Sequence, residues 1–209
     1  SVAVSSLSCR KFTYYGNPDY KVLRAGHLIR KLTKQISLKE RITHKLIYSL
    51  IKKAHLKVMS EYEWVFEVAK NDAENYKRHG INCSYTQLTW EGRITTNWKE
   101  IRERDEITEP IKIVGSVGNL SATGNSLAFI TLATEILPVL EKRLGKGQFE
   151  IHIFGGGKLR PGIDKLLANK HIKLRGFVGD LESEILSAPI VLIPNNYRDF
   201  KVSHTRFLH

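Results

Sequence analysis

The sequence predicts an α/β protein built on a doubly wound parallel sheet, and three observations carry that prediction. Short apolar runs at 111–115, 149–154, 172–175 and 190–193 have the length and the Ile, Val and Phe content of buried strands. Stretches with helical spacing separate them, at 127–144, 163–168 and 181–186. Glycine-bearing loops follow the strands, with Gly115, Gly118 and Gly124 after the first and Gly155, Gly156 and Gly157 after the second. Strand and helix alternating at these intervals suit the crossovers that join parallel neighbours.

Taken in order, residues 1–20 hold a turn-forming cluster, Tyr14-Tyr15-Gly16-Asn17-Pro18-Asp19, with no clear periodicity. Helical spacing begins at 20–34 and resumes at 38–53, where Ile42, Leu46, Ile47, Leu50 and Ile51 recur three and four residues apart. Ser37 stands at the N-cap position and Glu40 three residues on, which predicts a capping box. Residues 55–59 read as a short strand, and 61–78 as a helix with acids early and bases late, ended by Gly80. Residues 83–89 alternate like a strand.

The polar stretch 91–110 is the expected domain boundary, which gives units of 1–105 and 106–209. In the second unit Pro138 is expected to kink the helix 127–144, and Asp180 reads as an N-cap rather than a catalytic acid. The four strands of this unit are fewer than a nucleotide domain usually has, and 203–209 read as the opening of a helix. The sheet is therefore expected to be truncated at both ends of the chain. In the usual order the fourth strand pairs with the first, which leaves 190–193 as an apolar edge for a dimer or for further chain to cover.

The chain of 209 residues carries a net charge of +12, and the excess is local. Between Lys21 and Lys57 there are eleven basic residues and one acid, Glu40, so that stretch alone carries +10. Its partner is expected to be an anionic surface. An anionic membrane suits it best, because apolar and cationic residues are interleaved at the helical period. A merely solvated helix face is the plain alternative. Nucleic acid is disfavoured: Tyr14, Tyr15 and Tyr48 are available for stacking, but no nucleic-acid module is visible. Two cysteines, Cys9 and Cys83, exclude a disulfide-stapled scaffold and a cysteine-rich zinc module, and fit a reducing cytoplasm. No apolar run approaches the ~20 residues of a membrane span. The chain opens on Ser1 and its one methionine is Met59, so it is expected to begin after a cleavage or part-way into a longer protein.

Ligands of open parallel sheets sit beyond the carboxyl ends of the strands. The loop from Gly115 to Asn125 leads into a helix whose first N–H groups face an anion, with Ser and Asn side chains to add hydrogen bonds. Its glycines lack the G-x-G-x-x-G spacing and no P-loop is present, which argues against a nicotinamide-dependent dehydrogenase and a nucleoside-triphosphate hydrolase. No carboxylate or His/Cys cluster has metal-ligand spacing, so no metal is expected.

Four segments together carry a resemblance: Ile113-Val114-Gly115, Ile151-His152-Ile153-Phe154-Gly155-Gly156-Gly157, Ile172-Lys173-Leu174-Arg175-Gly176-Phe177-Val178 and Ala188-Pro189-Ile190-Val191-Leu192-Ile193-Pro194. Their order and spacing resemble the C-terminal, Rossmann-like donor domain of group 1 glycosyltransferases of the GT-B fold. Residues 55–90 resemble the end of that family's N-terminal, acceptor-side domain. The resemblance implies sugar transfer from a nucleoside-diphosphate sugar to an acceptor hydroxyl on a glycan or lipid, with no metal or other cofactor. Such an enzyme would work in cell-surface polysaccharide or glycolipid synthesis, in the cytoplasm and peripherally on the inner face of the membrane. It implies that Gly115, Ser116 and Asn119 face the diphosphate and that Gly155 and Gly156 lie near the nucleoside. The backbone at Phe177 and Val178 would hold the base, with Lys158, Asn195 and Arg206 as further donor contacts. The loop 115–125 holds neither Arg nor Lys, and Lys201 and His209 stand where many members carry an acidic pair, so no catalytic residue is assigned. Two rival readings remain at this point, a non-catalytic nucleotide-sugar-binding module and a sugar-nucleotide epimerase.

Overall fold

The structure, a computed structural model, describes residues 10–87, 109–145 and 147–194. The chain divides into two compact units; the first holds the described residues 10–87 and the second those from 109 to 194. The boundary expected at 105/106, and the site residues Asn195 and Arg206, lie outside the described residues. The fold is mixed α/β with two parallel sheets, consistent with a Rossmann-like α/β fold.

The first unit runs β1 (Phe12–Tyr15), α1 (Asp19–Leu32), α2 (Leu38–Ser60), β2 (Trp64–Glu67), α3 (Lys70–Arg78) and β3 (Cys83–Tyr85). Its strands pair in parallel in the order β1-β2-β3, with Phe12 opposite Trp64 and Val65 opposite Cys83. Met59, Val65, Ala73, Tyr76, Ile81 and Cys83 form the core on one face of that sheet. The capping box opens α2 as the spacing predicts: Ser37 Oγ accepts from Glu40 N at 3.2 Å, and Glu40 Oε2 accepts from Ser37 N at 2.8 Å. His79 closes α3 and Gly80 follows it at φ +74°, a conformation that favours glycine.

Three expectations in this unit are corrected. Residues 12–15 form an edge strand where no element was expected, because Phe12 and Tyr14 are exposed and leave no inward alternation to read. Residues 55–59 are the last turns of α2, not a strand. His55 and Met59, four apart, share the buried face of the helix, and the alternation in between is incidental. The helix expected over 61–78 begins only at Lys70. Trp64-Val65-Phe66-Glu67 instead alternates exposed and buried as the central strand, a role its aromatic and β-branched residues favour.

The second unit runs β4 (Ile111–Val117), α4 (Thr123–Thr131), a π-helical turn (Leu132–Ile136), α5 (Leu137–Leu144), β5 (Phe149–Phe154), α6 (Ile163–Leu167), β6 (Ile172–Gly176), α7 (Leu181–Leu186) and β7 (Ile190–Val191). The parallel order is β6-β5-β4-β7, so the fourth strand of the unit pairs with its first. Phe129, Leu132, Ile151, Ile153 and Ile163 are buried in the core, each contributing about 1.5–3 kcal/mol. Pro138 sits at the start of α5, directly after the π-helical turn. The wider turn accommodates a residue that lacks an N–H and crowds the carbonyl four residues before it.

The expectation of no membrane-length apolar run needs qualification. Thr123–Leu144 is long and apolar enough by length and composition alone. Part of its apolar surface packs inside the unit, where Leu127, Ala128, Phe129, Ile130, Leu132 and Leu137 are buried, while Val139 is exposed. Asp180 caps α7 by accepting from Ser183 N at 2.9 Å, as expected. Lys112 Nζ on β4 donates to Glu184 Oε2 and to Ser187 Oγ, each at 2.6 Å, and so ties that helix to the sheet.

Candidate anion site at the strand ends

The loops that leave β4 and β5 are stitched to each other. Gly118, at φ +105°, donates its N–H to the Phe154 carbonyl at 3.1 Å, and Leu120 N donates to Gly156 O at 2.9 Å. Gly155 adopts φ +136° with its backbone against Gly118, so that a Cβ there would overlap the Gly118 carbonyl. A Cβ on Gly157, at φ +91°, would stand 2.9 Å from Asn119 Oδ1. Asn119 Oδ1 itself accepts from Ser121 N at 2.9 Å and Ser121 Oγ at 2.8 Å, an Asx turn that points the chain into α4. Asn125 Nδ2 on that helix returns to the Asn119 carbonyl at 2.6 Å.

This geometry gives α4 a bare, positive start. Ala122 occupies the N-cap and offers no side-chain acceptor, and the first turn carries no acid. One cation is fixed beside it. Arg160, from the loop after β5, donates from Nε to the Ser121 carbonyl at 2.8 Å and from Nη2 to Thr123 Oγ1 at 2.9 Å. The guanidinium, half-buried, is thereby locked at the helix entrance with its remaining donors unassigned to either group. A helix N-terminus and an oriented guanidinium acting together suit a phosphate or diphosphate.

The residues expected here fall into distinct roles. Gly115 lies in a bulge of β4 where a Cβ would overlap the Ile151 side chain, so its glycine is required by strand packing. Ser116 is buried at the end of β4, and its Oγ has no hydrogen-bond partner among the described residues. Asn119, Gly155 and Gly156 converge at the loop crossing, and Gly156 alone of the three glycines after β5 is exposed with open space at its Cβ position and no positive φ. Lys158 is exposed nearby in sequence, and no hydrogen bond or ion pair among the described residues fixes it at the crossing. Gly155 N donates to Gly176 O at 2.8 Å, which joins the end of β6 to the same loop. Beyond it Phe177 is 87% exposed and Val178 half-buried. Arg160 is not among the expected residues; it lies six residues past Phe154, beyond the glycine loop that directly follows the strand.

A second polar cluster, in the first unit, is structural. Glu67 ends β2 fully buried, its Oε1 accepting from Val68 N at 2.9 Å and Ala69 N at 3.3 Å, and burial pushes its carboxyl up to about 7. Lys21 pairs with the buried Asp72, and Tyr20 accepts from Asn75 Nδ2 at 2.9 Å. Burial also raises the Tyr20 hydroxyl to about 12 and the Cys83 thiol to about 11. Glu67, Asp72, Tyr20 and Cys83 are all buried.

No protein-family model matches the chain, and the search of curated proteins finds no match.

Proposed function

We propose that this chain is the donor-binding part, with a portion of the acceptor-side domain, of a GT-B glycosyltransferase that acts on a nucleoside-diphosphate sugar. The observation that carries the reading is the fixed Arg160 guanidinium at the uncapped start of α4, beside the crossing of the two strand-end loops. In the transfer, the bond from the anomeric carbon to the diphosphate breaks, and its electron pair leaves on the β-phosphate oxygen. The acceptor oxygen forms the new bond to that carbon and gives up its proton to a base, which is unassigned. Developing charge on the leaving diphosphate is what an oriented guanidinium and helix N–H groups stabilise. Phe177, exposed on the adjacent strand end, supplies an apolar surface for the base. The acceptor is a glycan or lipid-linked hydroxyl, and the reaction belongs to the cytoplasmic side of cell-surface polysaccharide or glycolipid synthesis.

Calorimetry with uridine and guanosine diphosphate tests the site. Arg160→Gln is expected to weaken binding about tenfold or more, the worth of a charge-assisted hydrogen bond. Failure of the wild-type chain to bind either nucleotide at about millimolar concentration, the weak end of specific affinity, refutes the site. Binding without transfer of a labelled sugar favours the non-catalytic module, and conversion of the sugar on the intact donor favours an epimerase.

A further inference from the structure

The outward face of α2 is apolar and cationic, and no described residue of the first unit covers it. Leu38, Ile42, Leu46 and Leu50 recur every four residues along it and are 73, 63, 65 and 66% exposed. Leu46 lies about half a turn around the helix from His55, which is buried against the core, so the stripe points away from the unit. Lys39, Lys53 and Lys57 lie on the same side, are exposed, and form no ion pair among the described residues. The one acid of the helix, Glu40, is turned instead to Arg30 of α1 at 3.0 Å. A helix of 23 residues is ~35 Å long.

We propose that this face seats the protein on an anionic lipid bilayer, with the Leu and Ile side chains at the acyl boundary and the lysines on the headgroups. The composition of the face selects the occupant. Protein interfaces deplete lysine and enrich aromatic residues at their cores, and this stripe shows the reverse. Nucleic-acid surfaces use aromatic stacking, and no aromatic residue joins Leu38, Ile42, Leu46 and Leu50. Aliphatic side chains framed by free lysines on one helix face fit a membrane interface, where each lysine near anionic lipid adds about fivefold to binding. The assignment is independent of the donor site, since it rests on the first unit alone.

Flotation of the full chain with phosphatidylcholine vesicles, with and without about 30% phosphatidylglycerol to make the surface anionic, is the test. The wild type is expected to float with anionic vesicles and to stay in solution with neutral ones. Leu46→Ser with Leu50→Ser, both exposed and so compatible with an unchanged circular dichroism spectrum and melting point, should weaken flotation about tenfold or more. Lys39→Gln with Lys53→Gln should weaken it by about 25-fold. Equal flotation with both vesicles overturns the proposal. So does loss with the lysine pair but none with the leucine pair, which would reduce it to diffuse charge attraction. A vesicle-independent oligomer that the leucine pair breaks into monomers, or tighter retention on single-stranded DNA than on anionic vesicles, assigns the face to another partner and also overturns it.

Discussion

Two neighbouring glycines separate the architecture of the strand-end crossing from its use. In Gly155→Ala the new Cβ meets the Gly118 backbone carbonyl, which cannot rotate aside as a flexible side chain would. The residue must also hold φ +136°, a strain of about 1–3 kcal/mol for any L side chain. Relief comes only by parting the two loops. That loosens the bonds from Gly118 N to Phe154 O and from Leu120 N to Gly156 O, each worth about 0.5–1.5 kcal/mol. The expected cost to the second unit is therefore about 2–6 kcal/mol. Gly156→Ala places its Cβ in open space without a positive φ, and its expected cost is below about 0.5 kcal/mol.

Native-state amide exchange read at Ile113 and Ile151, in the paired centres of β4 and β5, reports the stability of this unit by itself. Nucleotide binding should fall with Gly155→Ala, because the displaced loop carries the Asn119 turn that positions the start of α4. It should survive Gly156→Ala. Equal costs for the two substitutions, or a Gly155→Ala protein with wild-type exchange, would refute the reading of Gly155 as a packing requirement.

Glu67 makes a pH-dependent prediction: with its carboxyl raised from 4.5 to about 7, the folded state keeps a proton that the unfolded chain releases. Stability from this group therefore falls as pH rises from about 4.5 to 7, by at most about 3 kcal/mol, and Glu67→Gln should remove that fall. Urea denaturation at pH 5 and pH 8 checks it; identical pH differences in the two proteins count against it. The His27 imidazole is lowered, by burial first and then by His44, Arg30, Lys31 and Arg41, so its contribution runs the other way. Stability from this group is full above 6.5 and is lost as pH falls through the folded value, and proton NMR should place its midpoint below 6.5. Ser37→Ala removes the cap of α2 and should cost about 1 kcal/mol, measured as lost helicity and a lower melting point.

The two central strands of the second unit, β4 and β5, were legible because they are buried. A run such as Phe149–Phe154 is apolar along most of its length, and the glycines after it are visible without any knowledge of partners. The first unit was harder for a physical reason. Phe12, Trp64 and Phe66 are exposed on one face of its sheet, so its strands carry apolar residues on both faces. Glu67 compounds this by placing a carboxylate at an inward position of the central strand, which alternation treats as outward. Local signals fared better because they need no partner. The Ser37 box and the Asp180 cap are each satisfied within three residues.

The loop crossing at the candidate site was legible in the glycines and illegible in its charge, and the difference lies in reach. Glycines declare close approach from the sequence alone, although Gly115 and Gly155 serve strand and loop packing as much as any ligand. The first loop has no cation of its own between Gly115 and Asn125, which weakened the case for a diphosphate there. A guanidinium spans several ångströms, however, and the loop after β5 crosses the loop after β4. Arg160 therefore reaches Ser121 and Thr123 from 39 and 37 residues away in the chain. Charge at a strand-end site is a property of the crossing loops together. Removing Arg160 should accordingly weaken diphosphate binding while leaving the loop crossing intact, because the Gly118 and Leu120 backbone bonds do not involve it.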